Sequence, residues 1–418
     1  MTSIKTFSPI IKFARSSILH HDMRKRIIIG YLTGLALAGF ILLCRLNACV
    51  ADFYAVSIYP AVSMVFSAVS SVFPFSVNDL VITGSIAAII AVIISSIRLG
   101  RKAEKGERDG KDGKDGKALM GGKAGWKRFL LQESMLGLWI FVWFYLGWGA
   151  NYFRSDILTR AGRQWQEFDK EVFAQFLDNY TRQLNESYVE AVNSGKEGTD
   201  NSPEIDTPKG TIKIIDKTIT ISKSDMSEVE AAIKRYYAKV PAQYGLCKPR
   251  NWQHPKPMLF NRFQSATGVT GYMGPFCDEF HVSRDVLPQS YPFTFAHEYS
   301  HLMGVSSEAE ANWWAFDACR TSDNAAIRYS AWYSILGHVW NNAAGLLEPA
   351  EFGAWKQSIL PEIIDELRHE QEYWNTKRIP LLDRMQSTVY NAFLKGNRVS
   401  SGMKNYSEVI QIIIALDN

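Results

Sequence analysis

Charge-free apolar runs in the first 153 residues constrain what this chain can fold into more than anything else in it. From Ile27 to Cys44 the sequence IIIGYLTGLALAGFILLC has no charged side chain. That is about the shortest run able to cross the ~30 Å hydrocarbon layer of a bilayer. A second run, LVITGSIAAIIAVIISSI, extends from Leu80 to Ile97. A third, SMLGLWIFVWFYLGWGANYF, extends from Ser134 to Phe153 and is rich in the Trp and Tyr that gather at membrane interfaces. These runs predict three transmembrane helices, at about 27–46, 80–97 and 134–153, so that the lipid bilayer is the first expected partner. A cleaved signal peptide is the competing reading of the first run, but its apolar core is too long and its cleavage context poor.

Flanking charge gives the orientation. Lys12, Arg15, Arg24, Lys25 and Arg26 precede the first run, and residues 98–128 are dense in Lys and Arg. Basic loops stay in the cytoplasm. Residues 1–26 are then a cytoplasmic tail, 27–153 the membrane region, and 154–418 a large domain on the extracytoplasmic side. Phe53 to Asn78 is also uncharged, but Pro60 and Pro74 interrupt it. Counted as a fourth span it would put the basic loop outside, so it reads as interfacial or re-entrant. The loop RKAEKGERDGKDGKDGKALMGGKAG has too few apolar residues to order itself and reads as a flexible connector. Charged residues touch the runs only at their ends, as with Arg45 and Asp79, which speaks against a translocation path.

The net charge of +4 resides mainly in the first third, so no nucleic-acid partner is expected. Beyond the membrane region, apolar residues at helical spacing (Phe168, Val172, Phe173, Phe176, Leu177, Tyr180) predict one or two helices over 156–192. Residues 194–210 form a polar loop, and TIKIIDKTITI reads as a strand or hairpin. Ser227 and Glu230 make a capping box for the next helix. The fold class expected is α+β, mostly helical. Cys247, Cys277 and Cys319 have no CxxC spacing, which leaves room for one disulfide and no cysteine zinc site.

Phe293 to Gly304 reads FTFAHEYSHLMG, an HExxH motif. Positions i and i+4 share a helix face, so His297 and His301 can hold one Zn2+. Glu298 then faces the open coordination position and can take a proton from a metal-bound water. A catalytic zinc needs a third protein ligand, and Ser307 occupies the place where an HExxHxxGxxH site would have histidine. After His301 the chain continues LMGVSSEAEANWWAF. Gly304 can end one helix, Ser306 or Ser307 can cap another, and Glu308 or Glu310 supplies the ligand. Glu308 is favoured, with Glu310 the alternative, because Asn312 lies one turn beyond it and can support the ligand through a hydrogen bond. A solvated acidic turn is the bland reading.

Flanking segments add less. An alternating run from Glu279 to Val286 can form an edge strand beside the motif helix and pair with an extended peptide, or be an ordinary hairpin. His281 is expected to be structural. Tyr329, Tyr333 and His338 on IRYSAWYSILGHVWNN are candidate oxyanion donors, although aromatic residues at helical spacing more often fill a core.

Taken together, WGANYFR, GVTGYMGPF, PFTFAHEYSHLMGVSSEAEANWWAF and LKGNRVSSGMKNYSEVI resemble the bacterial membrane proteins gathered as domain-of-unknown-function family 3810. That resemblance covers most of the chain and implies an inner-membrane protein with a zincin-like, gluzincin-type metallopeptidase domain. Its ExxxN element, EAEAN, implies His297, His301 and Glu308 as the zinc ligands. The activity expected is hydrolysis of envelope or secreted polypeptides with Glu298 as general base. A catalytically silent, zinc-stabilised scaffold or receptor domain is the alternative.

Overall fold

Apolar spacing at the helical period is realised over most of the molecule. The computed structural model describes residues 8–108, 123–165, 169–194, 204–207, 210–213, 223–397 and 408–417, and these are mostly helical with two short antiparallel hairpins. Two compact units result: Met1–Leu46 with Ile82–Leu146, and Asn47–Val81 with Gly147–Asn418.

Four long helical stretches open the chain: α1 (Ser8–Leu46), α2 (Ala48–Ser71), α3 (Val77–Arg108) and α4 (Lys123–Gly147). Lys25–Leu46 and all of α2 are long and apolar enough to cross a membrane, while Val77–Ala91 and Glu133–Gly147 are shorter apolar stretches. Within the first unit, a Cβ on Gly34 would lie 2.7 Å from Leu138 Cδ2 and one on Gly30 3.3 Å from Met135 Cε. Small residues four apart thus let α1 and α4 approach closely. Tyr31 donates to the Leu131 carbonyl. The connector expected over 98–128 is shorter than that, since α3 runs to Arg108 and α4 starts at Lys123; residues 109–122 lie outside the described residues.

The Phe53–Asn78 segment, read as interfacial or re-entrant, is largely helical and belongs to the second unit. Pro60 does not break α2, because a π-helical turn at Tyr54–Ile58 precedes it and accommodates the missing N–H donor. One face of α2 is bonded into the second unit. Arg250 Nη2 donates to the Pro60 carbonyl at 2.7 Å and Trp252 Nε1 to Ser67 Oγ at 3.1 Å. Ser155 donates through its N and Oγ to Asp52, at 3.0 and 2.5 Å. The unit that the sequence places at 154–418 therefore also includes 47–81 and the 3₁₀ turn Gly149–Phe153.

The rest of that unit comprises α5 (Ile157–Arg160), α6 (Lys170–Ser194), β1 (Glu204–Thr207), β2 (Gly210–Lys213), α7 (Lys223–Lys239), α8 (Asn261–Ala266), β3 (Gly271–Gly274), β4 (Glu279–Val282), α9 (Tyr291–Leu302), α10 (Glu308–Arg320), α11 (Ala325–Ser334), α12 (Leu336–Leu346), α13 (Pro349–Ser358), α14 (Pro361–Lys377), α15 (Pro380–Gly396) and α16 (Val409–Asp417). Helix α7 starts ahead of the expected Ser227 cap, with Asp225 in its first turn complementing the helix dipole. Most of TIKIIDKTITI and of the 194–210 loop falls outside the described residues.

Helix α9 is the centre of the core, with α10, α11, α7, β3 and β4 packed around it. Phe280 of β4 meets Phe295 edge-on at 5.2 Å and Tyr299 at 5.4 Å, and Tyr237 of α7 lies 5.7 Å from Tyr299. All four rings are fully buried, and each such side chain contributes about 1.5–3 kcal/mol. Cys247, Cys277 and Cys319 are buried free thiols, so the disulfide for which the sequence left room is not formed.

Candidate metal centre

Almost the whole of α9 is buried, including Glu298 and His301, and only Tyr291 and His297 are partly exposed. The i, i+4 spacing brings His297 Nε2 and His301 Nε2 to 3.2 Å, with the rings nearly perpendicular at 85°. Gly304, at φ +99°, turns the chain out of the helix, a conformation that favours glycine. Ser307 then caps α10 by accepting from the Glu310 N–H, which makes Glu308 the first helical residue. Its Oε2 stands 3.2 Å from His297 Nε2 and 3.6 Å from His301 Nε2.

Those separations fit a metal. Two nitrogens each about 2.0–2.1 Å from a tetrahedral zinc lie roughly 3.3 Å apart. His297, His301 and Glu308 form a group with all ligand atoms within 4.8 Å of one another. The set is also prepared from behind. His301 Nδ1 lies 2.8 Å from the Val305 carbonyl, an arrangement that assigns the ring proton to Nδ1 and leaves the Nε2 lone pair able to ligate a metal. Tyr390 of α15 donates its hydroxyl to Glu308 Oε1. Trp148, in the turn after α4, donates Nε1 to the His301 carbonyl at 2.8 Å.

Glu310, the alternative ligand, faces the other way. Both of its oxygens accept from Arg160 Nη2 at 2.5 Å, and Oε1 accepts from Trp314 Nε1 at 3.0 Å. Two residues of helix turn the side chain about 200° from Glu308, which separates the two roles. Asn312 is buried one turn beyond Glu308, but among the described residues no hydrogen bond joins them, and its Nδ2 has no partner. The support expected from Asn312 comes instead from Tyr390.

Glu298 lies beside β3, and a Cβ on Gly271 would come within 2.5 Å of its Cγ and Oε1. Only glycine leaves that room. Burial pushes the Glu298 carboxyl above the usual range; the His297 and His301 charges pull it back and Glu308 adds to the rise. Without metal, burial disfavours a charged His301, yet the nearby Glu308 carboxylate and the Val305 carbonyl push its imidazole up to about 9. Burial likewise opposes the Glu308 charge, but the two histidines hold its carboxyl well below normal.

The tyrosine hydroxyls expected as oxyanion donors are otherwise engaged. Tyr329 donates to Glu366 Oε2 at 2.6 Å and Tyr333 to Glu370 Oε2 at 2.7 Å, both on α14. Each is buried in the aromatic core. His338 is different: burial, helped by the His297 charge, pushes its imidazole down to about 4, so it stays neutral in the vicinity of the motif. His281 is a core residue, stacked on Tyr272 at 4.3 Å with Nε2 3.6 Å from Glu279 Oε1. The expected edge strand is realised only as far as Val282; β3 and β4 pair antiparallel with Gly271 opposite Val282 and Gly274 opposite Glu279.

A family model described as a protein of unknown function, DUF3810, matches residues 54–414. The chain belongs to that family. The match starts inside α2 and ends inside α16, so the DUF3810 region takes in both sequence segments of the site-bearing unit. No curated protein and no solved structure matches the chain. Sequence reasoning does not single out Tyr390, Gly271, Trp148 or Arg160 as parts of this DUF3810 site. None of them carries a metal-site motif of its own, and Tyr390 stands 82 residues from the carboxylate it contacts.

Proposed function

We propose that this chain is a membrane-anchored, zinc-dependent metallopeptidase with a zincin-like catalytic unit of gluzincin type. The observation that carries this reading is the trio of His297 Nε2, His301 Nε2 and Glu308 Oε2, separated by 3.2–3.6 Å, with the buried Glu298 carboxylate on the same helix beside His297. His297, His301 and Glu308 would hold the Zn2+, leaving a position for water. When bound, the metal supplies a water of lowered pKa and polarises a carbonyl.

The chain's own residues do the rest. Glu298, with its pKa raised by burial, accepts the water proton at its carboxylate and returns it to the leaving amine. Tyr390 and the Val305 carbonyl hold Glu308 and His301 in place. Strand β3, whose Gly271 adjoins Glu298, offers backbone groups to which an extended polypeptide substrate can pair. His338, neutral and near the motif, is the remaining candidate for stabilising the oxyanion.

The apolar helices, Lys25–Leu46 among them, provide the anchor. With the basic N-terminal tail and the basic 98–128 segment held in the cytoplasm, the catalytic unit lies on the extracytoplasmic side of the bacterial inner membrane, where envelope or secreted polypeptides are the substrates. To test the reading, the detergent-purified full chain is loaded with zinc and assayed on a quenched-fluorescent peptide library. Glu298→Gln should retain the metal and lose cleavage by about 10²-fold or more. Equal cleavage by the variant contradicts the assigned base, and a zinc-loaded wild type that cleaves nothing leaves a silent scaffold.

A further inference from the structure

Helix α15 turns an apolar row to the outside. Leu381 is 66% exposed, Met385 58% and Val389 70%, and Phe393 ends the row at 36%. Spaced four apart, they form a stripe about 18 Å long at 1.5 Å per residue, slowly winding around the helix. The opposite side is the one that faces the protein, with Leu394 fully buried and Tyr390 bonded to Glu308. A stripe of this length on one helix exceeds the scattered apolar exposure normal for a surface.

We infer that α15 is an in-plane membrane-surface helix whose Leu381, Met385 and Val389 insert into the headgroup boundary of a bilayer, presenting the metal centre at the lipid surface. Three observations select lipid as the occupant. On one flank of the stripe, at helical spacing, stand the exposed Arg384 and Lys395, long bases suited to anionic headgroup phosphates while their stems lie along apolar surface. At its end the stripe is continuous with an aromatic cluster that directly follows the apolar α4 in sequence: Phe393 meets Tyr152 edge-on at 5.6 Å, and Tyr152 meets Trp148 at 5.2 Å. The turn bearing Trp148 and Tyr152 in turn packs on α2, which exposes Phe53, Val56, Met64, Val65 and Val69. Finally, a single row of side chains is too narrow for a stable protein interface, which buries about 800 Å² per partner.

The consequence concerns substrate. Tyr390 shares α15 with the stripe, so a helix held on the bilayer fixes the residue that orients Glu308. Substrates would then be polypeptides at or emerging from the membrane surface. This rests on the membrane-anchored reading above, and the experiment keeps the two apart.

Full-length protein carrying Cys49→Ser is reconstituted in vesicles of phosphatidylcholine and phosphatidylglycerol, with a nitroxide on one introduced cysteine at a time: Met385→Cys, Val389→Cys, Arg368→Cys on α14, and Leu35→Cys in α1. Collision with oxygen, which partitions into lipid, is compared with collision with a water-soluble nickel chelate. The expected oxygen-to-nickel ratio at 385 and 389 is about tenfold that at 368 and approaches that at 35. Water-like ratios at 385 and 389 beside a lipid-like 35 overturn the inference alone. A water-like 35 overturns the anchoring reading and the inference with it. Low collision with both reagents together with spin–spin broadening assigns the stripe to a second copy of the chain and also overturns it.

Discussion

Glu308 and Glu310 are two residues apart and have opposite fates, because a helical step of about 200° sends one carboxylate to the histidines and the other to Arg160. Spacing alone leaves both open; the choice depends on Arg160, which is distant in sequence, and on Trp314. The histidine pair is legible because its geometry is local to one helix. Tyr390 is not, since a contact across 82 residues leaves no local pattern. Tyr390→Phe should weaken zinc binding by about 10–100-fold, measured by chelator competition, by releasing Glu308 Oε1. A second residue, Glu366, gives a pH signature. Burial pushes its carboxyl up to about 7, with Glu370 adding and the Tyr329 hydroxyl opposing. For an acid whose folded value is raised, the folded state holds its proton more tightly than the unfolded chain, so stability falls as pH rises from about 4.5 to about 7. Glu366→Gln, which keeps an acceptor for Tyr329, should therefore raise the melting temperature at pH 8 relative to wild type and change it little at pH 4. An equal shift at both pH values would show that Glu366 does not titrate in this range.

Among elements, α9 and the start of α10 follow their sequence signals closely: Gly304 leaves the first helix with positive φ and Ser307 caps the second. Strand β3 carries the least obvious constraint. Gly271 looks like one more glycine in a turn-rich stretch, yet it adjoins the Glu298 carboxylate. Gly271→Ala should lower peptide cleavage by at least about tenfold by displacing the Glu298 carboxylate, while metal content stays at the wild-type level. A parallel loss of metal would mean that the whole of α9 has moved. Helix α2 departs from its sequence signals because Pro60 normally ends or kinks a helix; the π turn at Tyr54–Ile58, which lets the helix continue, has no clear sequence signature.

For the molecule as a whole, the order of long apolar helices first and the HExxH-bearing segment after them is legible from hydropathy, whereas the inclusion of 47–81 in the site-bearing unit is not. That inclusion depends on tertiary hydrogen bonds from Ser155, Arg250 and Trp252 to α2, which composition does not encode. The Arg160–Glu310 pair, with side chains 7% and 6% exposed, ties α5 to α10. Arg160→Ala leaves Glu310 buried without its counter-charge and should cost about 3–5 kcal/mol, read from chemical denaturation of the detergent-solubilised chain. The central claim is the identity of the metal centre, and the most direct test is bound metal per chain by mass spectrometry in the wild type and in His297→Ala, Glu308→Ala and Glu310→Gln. One zinc per chain in the wild type and in Glu310→Gln, and none in the other two, is the predicted result; a wild type that stays metal-free in excess zinc, or a Glu308→Ala variant that keeps its zinc, would contradict it.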